Sequence, residues 1–161
     1  MIFNQIADLK PALPQGLRLL GLDAGSKTVG LALSDASLIV ASPLETLPRG
    51  KIGPLAEGLA KIIARHGVGG LVLGLPVSLD GTEGPACQSV RQLADNLDQR
   101  LETRIAFWDE RLSTAAVERV LVDEADMGRA RRARLVDKMA AAYILQGALD
   151  ALANMEGGAI P

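Results

Sequence analysis

Three acidic positions, far apart in the chain, carry the chemistry this sequence can offer. Asp23 ends the apolar run of LLGLDAGSKTVGLALSD, the pair Asp109/Glu110 ends that of FWDERLST, and Asp137 opens the apolar stretch of VDKMAAAYILQ. The first two stand where a strand stops and the third where a helix starts. At such places a folded sheet presents side chains to a ligand instead of its own core. Mg²⁺ or Mn²⁺ takes carboxylate oxygens of this kind and keeps open positions for water and a phosphoryl oxygen. Each acid alone is an ordinary residue at the end of an element. Together they point to metal-dependent hydrolysis of phosphodiesters.

The neighbours of each acid sharpen the expectation. Gly25 supplies a positive-φ turn after Asp23 and lets a phosphate come close to the backbone. Lys27, in the same turn, is a candidate phosphate contact. Asp35 ends the next strand, a strand length from Asp23, and reads as a turn residue outside the site. Adjacent strand residues face opposite ways, so Asp109 and Glu110 cannot both serve unless the strand ends between them. The one left over pairs with Arg111 or holds a loop, and Arg111 is itself a candidate phosphate contact. Asp137 at a helix start sits at the positive end of the helix dipole, which favours an anion there. Just before it, MGRARRARL places Arg129, Arg131, Arg132 and Arg134 within six positions. Guanidinium forks match phosphate oxygens, so these arginines, with Lys138, are read as a nucleic-acid-binding loop. Cys87 and Trp108 read as packing residues, and Asp80 and Glu83 as weaker acids in the glycine-containing loop after Leu75.

The elements that position these residues follow from periodicity. Leu17–Asp23 and Thr28–Ser34 form a β-hairpin, and Leu38–Leu47 a third strand weakened by Pro43. Pro54–His66 carries one apolar face and stops at Gly67. Leu71–Leu75 is short and wholly apolar, a strand covered on both faces. Pro85–Leu101 is a helix opened by Pro85, and Ile105–Asp109 the next strand. Ser113 or Thr114 caps a helix carrying Val117, Val120 and Leu121. The last helix is Asp137–Leu152, whose Ala140, Ala141 and Ala142 permit close packing on the sheet. The order predicts an α/β fold with antiparallel hairpin strands, parallel strands and helices on both faces. Residues 1–16 are expected to be a loose extension, 17–152 the single domain and 153–161 a flexible tail.

Bulk properties bound the function. The chain has 161 residues, enough for one well-cored domain. Two Phe, one Tyr and one Trp exclude aromatic platforms for stacking single-stranded bases. A net charge of −2 means that a polyanion must meet a local basic patch. One cysteine excludes an internal disulfide framework and a cysteine-rich zinc site. No apolar run approaches the roughly 20 residues of a membrane span, and Asp8, Pro11 and Pro14 interrupt any signal-peptide core. A cytoplasmic protein is expected.

The segments LGLDAGSKTVGLALSD, LVLGLPVSLDGTEGP, FWDERLST and VDKMAAAYILQ, in this order and spacing, resemble the YqgF/RuvX family over about residues 18–150. The resemblance implies a ribonuclease H-like fold and a divalent-metal-dependent nuclease. Members are described as nucleases maturing the 5′ end of pre-16S rRNA or as Holliday junction resolvases. It further implies that Asp23, Glu110 and Asp137 are the metal ligands, because related nucleases keep a glutamate in the middle place, with Asp109 as the alternative. Resolvases of this fold carry an acid at the end of the strand corresponding to Leu71–Leu75. Here Gly74-Leu75-Pro76 stands instead, so that ligand comes from elsewhere. The implied partners are structured RNA within ribosomal precursors, or DNA junctions, met by a monomer or homodimer without a membrane. Two other classes stand beside the nuclease: a non-catalytic nucleic-acid-binding module, and an ATP site, since DAGSKTVG is also similar to the phosphate loop of actin-like kinases. A chain of this length cannot supply the two large domains that close on a nucleotide there.

Overall fold

In the computed structural model, which describes residues 1–112 and 129–158, the first residues are built into the domain and are not a loose extension. Ile2–Phe3 (β1) pairs in parallel with a strand formed by Arg104–Asp109. Ile6–Ala12 (α1) buries Ile6 and Leu9. Each such side chain contributes about 1.5–3 kcal/mol when withdrawn from water, which outweighs the poor helix propensity of a short segment containing Pro11. The amino terminus also pairs with Asp98.

Arg18–Ala24 (β2), Thr28–Ser34 (β3) and Ala41–Pro48 (β4) form an antiparallel meander. The third strand begins at Ala41, not Leu38, because the chain turns at Leu38 with φ of 58°. Its Pro43 is tolerated because β4 is the sheet edge and the ladder slips a register beside it. Ile52–His66 (α2) ends at Gly67, whose left-handed φ of 65° closes the last turn onto Ile63. Val68–Leu75 (β5), Pro85–Arg100 (α3) and Arg104–Asp109 (β6) form a parallel β-α-β crossover, and a 3₁₀ turn, Glu110–Leu112, follows. The sheet order is β1-β6-β5-β2-β3-β4, with β1, β6, β5 and β2 parallel.

Strand alternation sorts side chains onto two covered faces. Leu20, Leu22, Leu71, Leu73, Ile105 and Phe107 pack with α2 and α3. Leu19, Ala32, Val72 and Ala106 pack on the other side with α1 and the last helix, Arg129–Gly158 (α4). This second face is lined with glycine. A side chain on Gly21 would strike Leu145, one on Gly30 the backbone of Asp137, and one on Gly147 the ring of Trp108. Their absence lets α4 lie close against β2 and β3.

The long α4 corrects several expectations. It starts at Arg129, so the arginine segment is helical and not a loop; the side chains of Arg129, Arg131, Arg132 and Arg134 lie outside the described residues. Asp137 is therefore an interior residue of the helix and gains nothing from its dipole. The helix also runs through Gly158, where a flexible tail was expected from residue 153. Polar composition at both ends hid a helix whose middle is held by tertiary packing. The helix expected around Val117, Val120 and Leu121, with its cap at Ser113 or Thr114, lies outside the described residues.

Candidate active site

The site forms at the end of the sheet where β2, β5 and β6 all stop, on the face covered by α4. Asp23 shares the parity of Leu19 and Gly21 and so points to that face. Directly across the ladder stands Gly30, which leaves the space above it to α4 at Asp137. On β6 the same parity runs through Ala106 and Trp108 and continues to Glu110 as the strand gives way to the 3₁₀ turn. Parity thus resolves the acid pair. Glu110 turns over the sheet toward Asp23 and hydrogen-bonds to it. Asp109 points away and is bound by Arg111, through Nε at 2.9 Å and Nη2 at 2.5 Å to Oδ2.

Gly74, at the end of β5, makes this meeting possible. A side chain there would collide with Oε1 of Glu110 and with Cδ1 of Ile144. The space above Gly74 is thus occupied by the Glu110 side chain arriving from the neighbouring strand.

Electrostatics bind the three acids together. Burial raises the Asp23 carboxyl above its usual range, and the charge of Asp137 raises it further. Burial, with Asp23 close by, pushes Glu110 from 4.5 up to about 7. As pH falls through about 7, Glu110 takes up a proton that it can donate to Asp23. Asp137 is anchored by the hydroxyl of Thr28, which donates to its Oδ2 at 2.6 Å. Among the described residues no three His, Cys, Asp or Glu side chains are gathered tightly enough to hold an ion between them. The expected convergence is therefore a touching pair with a third acid held beside it.

The donor set nevertheless suits a hard cation. It is all oxygen and partly withdrawn from water, and the neighbouring negative charges raise Asp23 and Glu110. Lys27 is exposed in the turn, and Lys138 is part-exposed beside Asp137. Gly25, expected at positive φ, is not among the residues with that conformation. Its N–H instead closes the turn on the Thr28 carbonyl at 2.8 Å. Asp35 accepts from the N–H of Ile39 and Val40, as a turn residue does. Asp80 and Glu83 are engaged by Thr82 and Arg91. Cys87 is fully buried, and Trp108 packs on α4. Thr28, Gly74 and Arg49 carry no signal in the sequence that would mark them, since what they do depends on partners distant in the chain.

Comparison with known proteins follows the same line. A family model described as "RuvX: Holliday junction resolvase" matches residues 17–151. A relative from Paramagnetospirillum magneticum is 60% identical over 144 residues, covering 89% of this chain and 92% of its own. One from Gluconacetobacter diazotrophicus is 54% identical over 153 residues, covering 95% and 99%. Both carry the name "Putative pre-16S rRNA nuclease". Among solved structures, Thermus thermophilus RuvC in complex with a Holliday junction superposes with a TM-score of 0.52 at 14% identity. That alignment covers 84% of this chain and 94% of the other, and establishes the likeness of a ribonuclease H-type fold.

Proposed function

The chain belongs to the RuvX family, and from that premise we propose that it is a metal-dependent nuclease that matures the 5′ end of pre-16S rRNA. The observation that carries the reading is the Asp23–Glu110 carboxylate pair with Asp137 beside it, set at one end of the sheet. Asp23, Glu110 and Asp137 would hold Mg²⁺ or Mn²⁺. Such an ion, when bound, activates water and stabilises charge on the leaving oxygen.

The remaining residues position and bind. Thr28 fixes Asp137, and Gly74 leaves the room in which Glu110 reaches Asp23. Glu110 would have to give up its proton for the three acids to hold such an ion, which would tie metal binding to pH. Lys27, Lys138 and the α4 arginines Arg129, Arg131, Arg132 and Arg134 contact phosphates, with Arg111 at the rim on the side of Asp109. The substrate is structured RNA within a ribosomal precursor particle, bound by a local basic patch on a weakly acidic chain. One cut in one strand needs one site, so a monomer suffices. The family description names a junction resolvase, and that activity would require a symmetric dimer to cut two strands.

The test is cleavage of a 5′-extended 16S precursor fragment beside a synthetic four-way DNA junction, each with Mg²⁺ or Mn²⁺, by the wild-type chain and Asp23→Asn. The RNA should be cut by the wild type and not by the variant. Melting of the variant should be unchanged or slightly raised, because repulsion among the clustered acids is relieved. Cutting of the junction alone would replace this reading with the resolvase. Binding of both nucleic acids with cleavage of neither would leave a non-catalytic module.

A further inference from the structure

We infer that Arg49 is a positioning residue of the site, a brace that holds the turn between Asp23 and Lys27 in its working conformation. The inference rests on the nuclease reading for its consequence but not for its geometry. Asp23 is followed by a single strand residue, Ala24, and then by the exposed turn of Gly25, Ser26 and Lys27. Left alone, such a turn frays, because its outward carbonyls bond only to water.

Arg49 satisfies two of them. Its backbone N–H donates to the Lys27 carbonyl at 2.9 Å, extending the β3–β4 ladder by one rung. Its side chain then folds back so that Nη1 donates to the Gly25 carbonyl at 2.8 Å. The other branch of the guanidinium reaches α3, where Nη2 donates to Oγ of Ser89 at 2.8 Å. The hairpin tip is thus tied to α3, which packs on the opposite face of the sheet from the acids. A planar fork with fixed branches suits this task, whereas a lysine ammonium lacks the two rigid, divergent donors.

The consequence is positional. The carboxylate of Asp23 must meet Glu110 from one side and face Asp137 from the other, and displacement of a reacting group by about 1 Å costs on the order of 10²-fold in rate. A phosphate-binding arginine would behave differently, weakening substrate binding and its salt dependence while leaving turnover intact. Arg49 has both branches committed to the protein, which favours the brace.

The experiment compares the wild type with Arg49→Ala and Arg49→Lys, each as the whole 161-residue chain. The first readout is amide hydrogen exchange across residues 23–28, which needs no substrate and no metal. The second is kcat and KM on the precursor RNA fragment with Mn²⁺. Arg49→Ala should speed exchange in the turn by about tenfold or more, and lower kcat by about 10- to 100-fold with KM changed by less than about threefold. Arg49→Lys should recover part of both, since one donor can still reach Gly25. If Arg49→Ala does not fold, Arg49→Lys carries the test through the same two readouts. Unchanged exchange in the turn overturns the brace, as does a raised KM with kcat intact. A wild type that cuts nothing overturns the nuclease reading alone, while the exchange result still decides the role of Arg49.

Discussion

Replacing Glu110 by glutamine probes the carboxylate pair through stability, without any assumption about substrate. In the metal-free protein Glu110 titrates at about 7 against an ordinary 4.5, because burial and then Asp23 disfavour its anion. Between those values the folded protein keeps a proton that the unfolded chain has released. The unfolded state binds fewer protons there, so stability declines as pH rises from about 4.5 to about 7 and levels off above. At about 1.4 kcal/mol per pH unit, the interval corresponds to about 3 kcal/mol. Glu110 is only partly buried, so screening by solvent brings this to roughly 1–2 kcal/mol. Asp23 is raised as well and adds in the same direction. Glutamine keeps the shape and offers Asp23 an N–H at every pH. Glu110→Gln should therefore match the wild type at low pH and exceed it at pH 8. For a chain of this size the gain is roughly 2–8 °C in melting temperature. Thermal unfolding in chelator from pH 4.5 to 8 measures it. Adding Mg²⁺ or Mn²⁺ at pH 8 should raise the wild type by RT ln(1 + [M]/Kd) and the variant much less. A flat wild-type profile, or a variant less stable than the wild type at pH 8, would refute the shared proton.

Gly74→Ala should lower cleavage and destabilise by about 1–3 kcal/mol, because its new Cβ meets the Glu110 side chain and the Ile144 methyl; chemical denaturation with parallel activity measurement checks both. Replacing Arg131, Arg132 and Arg134 together should weaken RNA binding and reduce the slope of log affinity against log salt by roughly 0.7 to 0.9 per lost phosphate contact. Unchanged affinity across a salt series would remove these arginines from the interface and leave Lys27, Arg111, Arg129 and Lys138 as its basic residues.

Elements whose identity rests on local pattern were legible in the chain. The hairpin around Asp23, the wholly apolar β5, and helices α2 and α3 with their Gly67 stop and Pro85 start are written in period and punctuation, and each stands within a few residues of its expected place. Asp35 as a turn residue was legible for the same reason. What the chain alone left open was everything decided by a partner remote in sequence. A two-residue strand and a short proline-containing helix at the amino terminus have no local signal, and exist because β6 and the core receive them. Asp137 looked like a helix start because the apolar stripe begins there, whereas the helix begins at Arg129. The choice between Asp109 and Glu110 depended on where β6 ends and which face its last residues take, a property of strand pairing. Gly74 and Thr28 gained their roles only when β5 was laid against Glu110 and β3 against Asp137. Sequence determined which residues hold charge and where strands and helices could form, because those are properties of neighbours in the chain. Tertiary structure decided which carboxylates meet, because burial, repulsion and hydrogen bonding act only between groups that folding brings into contact.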